Sequence, residues 1–128
     1  MTIREVSEQF GISQDTLRYY EREGMIPAVP RTAGGIRNYR DEDLRWVELA
    51  LCLRSAGLPV EVISQYVQLS RQGDATIRER LALLTAQREV LLAQQRQTSA
   101  AIGRLEQKIS VYESALNTGV LNWKKEEN

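Results

Sequence analysis

The sequence predicts a mainly α-helical chain: a winged helix-turn-helix head with a short two-stranded wing, then one long helix that forms an antiparallel dimeric coiled coil. Three observations carry this expectation. Two short amphipathic segments flank Gly11-Ile12-Ser13. The stretch 25–40 holds Pro27, Pro30 and the Gly34-Gly35 pair, and cannot be helical. From residue 77 an apolar heptad runs on without a slip. Composition agrees, since 128 residues with 42% hydrophobic, 27% charged and only 3 prolines suit a small helical protein.

Taking the elements in order, residues 2–10 set Ile3, Val6 and Phe10 at helical spacing. Gly11 suits a helix stop and Ser13 an N-cap for a second helix over 14–23, with Gly24 as its left-handed end. A helix, a short Gly-containing turn and a helix make a helix-turn-helix. In 25–40, Val29 before Pro30 is pushed towards extended backbone, and Gly34-Gly35 suits a tight hairpin turn between two short strands. Residues 31–40 carry Arg31, Arg37 and Arg40 and no carboxylate. Asp41 is the expected N-cap of a helix over 42–56 that ends at Gly57, and Pro59 opens another reaching about residue 71. Gln72-Gly73-Asp74 breaks the chain, with Asp74 the next expected N-cap.

Ile77, Leu81, Leu84, Arg88, Leu91, Gln95, Thr98, Ile102, Leu105, Ile109, Tyr112 and Leu116 then alternate spacings of four and three. This is a coiled-coil seam, on a helix of roughly 65 Å at 1.5 Å per residue. No other part of the chain is large enough to cover it, so a second copy is the expected partner. The dimerising residues are Leu81, Leu84, Leu91, Ile102, Leu105, Ile109 and Tyr112. Polar Arg88, Gln95 and Thr98 at mid-seam suit an antiparallel register. The expected domains are 1–71, the head, and 72–128, the dimerisation helix and tail. Trp123 is read either as a contact onto the second subunit's head or as part of the tail.

Composition also excludes chemistry. There is no histidine and a single cysteine, so histidine-based catalysis, an intrachain disulfide and a cysteine metal cluster are all absent from expectation. No phosphate-cradling glycine motif occurs, so no enzyme, cofactor or metal is expected. No apolar run approaches the roughly 20 residues of a membrane span, and no signal peptide is visible at the N-terminus. A cytoplasmic protein is expected. The formal net charge is zero, so any nucleic-acid surface must be local.

With these elements in place, 3-IREVSEQFGISQDTLRYYEREGMIP-27 and 37-RNYRDEDLRWVELALCLRSAGLPVEVI-63 resemble the MerR family of bacterial transcription regulators. The resemblance covers about the first 70 residues closely and the long helix in architecture. It implies a homodimer on a pseudo-palindromic, over-long promoter, distorting double-stranded DNA so that RNA polymerase engages it indirectly. The DNA-binding residues it points to are Thr16, Arg18, Tyr19 and Tyr20 on the second helix and Arg37, Tyr39 and Arg40 on the wing and its exit. Arg18 can reach a guanine edge or a phosphate. One of Tyr19 and Tyr20 is expected to contact phosphate and the other also to pack against the wing. Glu21 and Glu23 are expected to face away from DNA and pair with arginines. Neither 70–80 nor 116–128 holds the cysteines of the family's metal sensors, and the stretch after the seam is too short for its multidrug-binding domain. Cys52, in 52-CLRSAGLPVE-61, resembles the thiol- and aldehyde-responsive (AdhR/NmlR-like) branch. It implies an electrophile sensor at Cys52, with Arg45 and Arg54 nearby in sequence to favour a thiolate. The alternative is a structural Cys52 among Leu49, Leu51 and Leu53, with a non-covalent effector bound at the junction of head and coiled coil.

Overall fold

A computed structural model describes residues 1–121, and Trp123 lies outside the described residues. Among the described residues five α-helices follow one another: α1 (Ile3–Phe10), α2 (Gln14–Arg22), α3 (Asp41–Ser55), α4 (Val60–Arg71) and α5 (Ile77–Thr118). A 3-10 turn, Asp74–Thr76, precedes α5. The chain forms two compact units, Met1–Gln87 and Arg88–Asn128, so the first takes in the opening turns of α5.

Caps set these boundaries. At α1, Thr2 Oγ1 accepts from the Glu5 amide at 3.2 Å and Glu5 Oε1 accepts from the Thr2 amide at 3.0 Å. This reciprocal box satisfies two otherwise orphaned donors. The hydrogen bond from the Thr2 backbone, then that from its side chain, holds the Glu5 carboxyl below its ordinary value. Helix α2 begins at Ser13, whose Oγ accepts from the Thr16 amide at 3.0 Å. Both α2 and α3 close the same way. Met25 N–H reaches the Tyr20 carbonyl at 2.9 Å and Gly24 N–H that of Glu21 at 3.2 Å, while Leu58 reaches Leu53 at 3.1 Å and Gly57 reaches Arg54 at 3.0 Å. The glycines carry φ of +76° and +85°, the left-handed geometry that a Schellman close requires.

Two expected caps fall elsewhere. Asp41 is the first residue of α3 and Arg40 holds the N-cap position. An Arg cannot accept, so the capping is done by Asp43, whose Oδ2 accepts from the Arg40 amide at 2.8 Å. Asp74 opens the 3-10 turn rather than α5. There the buried Thr76 hydroxyl lies 2.6 Å from the Leu69 carbonyl and 2.9 Å from that of Gly73. Arg80 Nε donates to the same hydroxyl at 3.0 Å, which ties the corner between α4 and α5.

The expected two-stranded wing is reduced to one antiparallel bridge, Arg31 with Arg37. Thr32 N–H donates to the Ile36 carbonyl at 2.7 Å and Asn38 N–H to that of Pro30 at 2.8 Å. Pro30 has no N–H to return, so the ladder stops there. The turn lies one residue earlier than a central Gly34-Gly35 pair, with Gly35 N–H closing onto the Thr32 carbonyl at 2.9 Å.

A single core joins these pieces. Val6 from α1, Leu17 and Tyr20 from α2, and Met25, Ile26 and Val29 from the following link pack with Tyr39. Val47, Ala50 and Leu53 from α3, Leu58 from the turn, and Ile63 and Val67 from α4 complete it. The opposite holds on α5, where no residue is fully buried. Among the described residues no helix is long and apolar enough to cross a membrane.

Candidate nucleic-acid interface

Helix α2 has two faces. Leu17 and Tyr20, one turn apart, are buried at 0% and 6% exposure and fasten the helix to the core. Asp15, Arg18, Tyr19 and Arg22 fall on the outer face, and all are exposed. Arg18 donates to Asp15 Oδ1 at 2.8 Å and to Gln14 Oε1 at 3.3 Å, both within its own helix. The Arg22 guanidinium lies 5.3 Å from the centre of the Tyr19 ring, a cation–π contact that orients the tyrosine outward. Thr16 shares a 2.8 Å hydrogen bond between its hydroxyl and that of Ser13. The tight turn before α2 is further held by the Ser7 hydroxyl, which donates to the Ile12 carbonyl.

Of the expected pair, then, Tyr19 faces solvent and Tyr20 is a core residue. Burial raises the Tyr20 phenol above its ordinary value, partly opposed by the nearby Arg54 charge. Tyr39 is also a core residue: its ring is 2% exposed, and its backbone N–H donates to the Met1 carbonyl at 2.8 Å. Its hydroxyl is buried without a hydrogen-bond partner among the described residues. Burial raises the Tyr39 phenol, and the charges that act on it are Arg37, Glu21, Arg18 and Asp43. An orphaned buried hydroxyl among such charges is costly to maintain.

The arginines assigned to the wing are held by carboxylates. Arg37 Nε donates to Glu21 Oε1 at 2.6 Å, with side chains only 20% and 14% exposed. Glu21 Oε2 accepts from the Val29 amide at 3.0 Å. One carboxylate on α2 therefore grips both limbs of the Gly-rich loop and sets its angle to the recognition surface. Glu21 does pair with an arginine, as its sequence suggests, but its positioning of the loop was not legible; the 16-residue separation from Arg37 hid it. Arg40 donates through Nε to Asp43 Oδ2 at 3.0 Å and through Nη2 to Oδ1 at 3.3 Å. That bond to a buried carboxylate holds the Arg40 guanidinium in its charged form. Arg31 remains exposed at the loop and donates to the Gly35 carbonyl at 2.9 Å.

Cys52 is exposed in the single chain and lies outside the buried core of the head. Helical spacing sets Arg45, Leu49 and Cys52 along one side of α3. Arg54 points elsewhere, donating to the Leu58 carbonyl at 3.2 Å.

The expected dimerising side chains are exposed on α5, at 61% for Leu81, 38% for Leu84 and 40% for Leu91. Ile102, Leu105, Ile109 and Tyr112 are exposed at 50%, 59%, 54% and 50%. Leu105, Ile109, Tyr112, Leu116 and Leu121 also line an apolar recess of about 630 Å³.

Residues 1–70 match the family model described as MerR HTH family regulatory protein. The chain is 45% identical over 92 residues to the HTH-type transcriptional regulator AdhR of Bacillus subtilis, spanning 72% of this chain and 66% of that one. An uncharacterized HTH-type transcriptional regulator of Haemophilus influenzae is 35% identical over 118 residues, covering 92% of this chain and 87% of its own length. Among solved structures, HiNmlR, a MerR family regulator lacking the sensor domain and bound to promoter DNA, superposes with a TM-score of 0.75. It is 34% identical, with 94% of this chain and 95% of that one covered.

Proposed function

The chain belongs to the MerR family of helix-turn-helix regulators, on the AdhR/NmlR-like side of it, and from that premise we propose that it activates transcription as a homodimer on a pseudo-palindromic promoter, with Cys52 as its switch. It is a DNA-binding regulator and not an enzyme, as its relatives are. Two copies of α2 enter successive major grooves, with Thr16, Arg18 and Tyr19 facing the DNA. The loop bearing Arg37, Tyr39 and Arg40 lies against flanking phosphates. The dimer bends and untwists the promoter, a deformation of a few kcal/mol offset by the contacts it permits. RNA polymerase then engages the reshaped promoter. The protein works in the cytoplasm, where that DNA resides.

The observation that carries this reading is the two-faced α2, whose outward Arg18 and Tyr19 are backed by buried Leu17 and Tyr20. The nearer of the present partners of Arg18, Asp15, is itself an exposed side chain, and can be exchanged for a base edge or phosphate. Support for the second copy comes from the exposed seam on α5 and from the absence of any other apolar partner for it among the described residues.

The sensing step rests on the exposure of Cys52. Its thiolate adds to an aldehyde carbon, forming a C–S bond while the carbonyl oxygen takes up a proton. The product is a reversible hemithioacetal at the surface of α3. A nitrosating agent would instead convert the same sulfur to an S-nitrosothiol.

Mobility-shift and in vitro transcription assays on the promoter upstream of its own gene test both parts. Arg18→Ala is expected to weaken binding about 10- to 100-fold, the worth of one arginine contact to DNA. Wild-type affinity is expected to fall steeply with salt as counterions are released; a salt-independent affinity would remove the DNA reading. Cys52→Ala is expected to bind the promoter normally and ignore formaldehyde, methylglyoxal and nitrosating agents. Normal activation of that variant by any of them sinks the switch and leaves DNA binding standing.

A further inference from the structure

Gln87, on the portion of α5 that belongs to the first compact unit, lies beside the seam rather than in it. Its Nε2 donates to the Ala56 carbonyl at 2.9 Å across 31 residues of sequence. Ala56 is the C-cap of α3, and its own N–H donates to the Cys52 carbonyl at 3.1 Å. The last carbonyls of a helix have no partner within it, so Gln87 satisfies an acceptor that α3 cannot. Gly57 makes the approach possible: a Cβ at that position would stand 3.2 Å from Gln87 Nε2. Donor, orphaned acceptor and cleared path all meet in the one helical turn that follows Cys52.

We propose that Gln87 is a positioning residue for activation, a clasp whose amide holds the opening turns of α5 to the C-terminal turn of α3. This rests on the reading that the chain activates transcription from a bound promoter. The contact is chemically specific. A glutamate of the same shape has no proton to donate at neutral pH, and its charge would face the negative end of the α3 dipole. A lysine restores a donor. The clasp works through Ala56 and touches no DNA, so losing it affects output more than binding.

The test compares wild type, Gln87→Glu and Gln87→Lys as full chains, in three measurements: affinity for the upstream promoter, transcription from it, and amide exchange of residues 56–58. In Gln87→Glu, transcription is expected to fall about fivefold or more and exchange to quicken by a similar factor, the equivalent of one hydrogen bond. Promoter affinity should stay within about twofold, and Gln87→Lys should recover most of the transcription. Transcription at the wild-type level in Gln87→Glu overturns the proposal. So does a loss of transcription merely in proportion to affinity, which marks a structural role only. If wild type itself fails to bind or activate the promoter, the activation reading fails instead. The exchange measurement still decides the clasp in that case, since unchanged exchange in Gln87→Glu shows that it does not hold the turn.

Discussion

Leu17 and Tyr20 on α2 and Leu105 and Ile109 on α5 are each a pair of large side chains one helical turn apart. The first pair is exposed by 0% and 6%, the second by 59% and 54%. Periodicity says that a helix has a face to bury; it does not say what buries it. On α2 the answer comes from the same chain, through Val6, Met25 and Ile63 in one core. On α5 the repeat runs at 3.5 residues, the period at which a second helix rather than a curved core fits the stripe. The head is therefore closed on itself, while the seam is open and asks for a partner.

The contrast is tested most forcefully on the seam. Replacing Leu105 and Ile109 together by Glu should split the proposed dimer, as read by light scattering, and reduce promoter affinity by at least about 100-fold. Each buried Leu or Ile is worth about 1.5–3 kcal/mol, and the interface loses it on both copies. Thermal melting of the head should hardly change. A double mutant that remains dimeric would show that something other than the seam holds the copies together.

The mirror experiment removes a core contact. Leu17→Ala should destabilise the head by about 2–5 kcal/mol, by denaturant titration. It should leave the association of α5 intact if that is an independent contact. Loss of dimerisation in parallel would mean that seam and core are one cooperative system, with no closed head to set against an open seam.

A smaller effect is expected at Gly24, where the closing turn of α2 meets α4. Its φ is +76°, and a Cβ there would stand 2.8 Å from Ser64 Oγ. Gly24→Ala should cost about 1–2 kcal/mol from the left-handed backbone alone, with some further cost unless Ser64 rotates away. An unchanged melting temperature would show that the turn relaxes freely.

Much of this was legible in the sequence because it is local. Ser13 as a cap, Gly24 as a left-handed close, Gly57 as a helix end, and the α5 repeat are each written within a few neighbouring residues. The sequence was ambiguous where one residue type serves two purposes. A tyrosine two places after an arginine reads as a phosphate contact, yet the Tyr39 ring fills the core. Arg37 and Arg40 read as basic surface, yet Glu21 and Asp43 hold them. Asp43 itself reads as one of three acidic residues at a helix start, and nothing local marks it as the buried one. The wing failed as a ladder for a simpler reason, the missing N–H of Pro30. The hold of Glu21 on the loop and the contact of Gln87 were missed because their partners lie 16 and 31 residues away, beyond any periodic signal.

The subtlest test asks whether Tyr39 belongs wholly to the closed region. A core residue should be satisfied by its own chain, but the Tyr39 hydroxyl has no partner among the described residues. Leaving a buried hydroxyl unpaired costs about 1–3 kcal/mol, so Tyr39→Phe should leave stability unchanged or raise it by up to about 1 kcal/mol. The pH dependence of stability probes the same burial independently. Burial raises the Tyr39 phenol above its ordinary value of 10.0, so the folded chain holds that proton more tightly than the unfolded chain. Stability from this source is intact below about pH 10 and lost as pH climbs beyond it. Tyr39→Phe should remove the Tyr39 share of that loss and leave the share of Tyr20, which is raised for the same reason. Promoter affinity then separates two explanations for keeping the hydroxyl. If affinity falls about tenfold while stability rises, a phosphate is the missing acceptor, because a bond to a charged acceptor is worth about 1.5–3 kcal/mol. If affinity is unchanged, Tyr39 is a packing residue whose hydroxyl is idle, and the DNA contacts of the loop fall to its arginines alone.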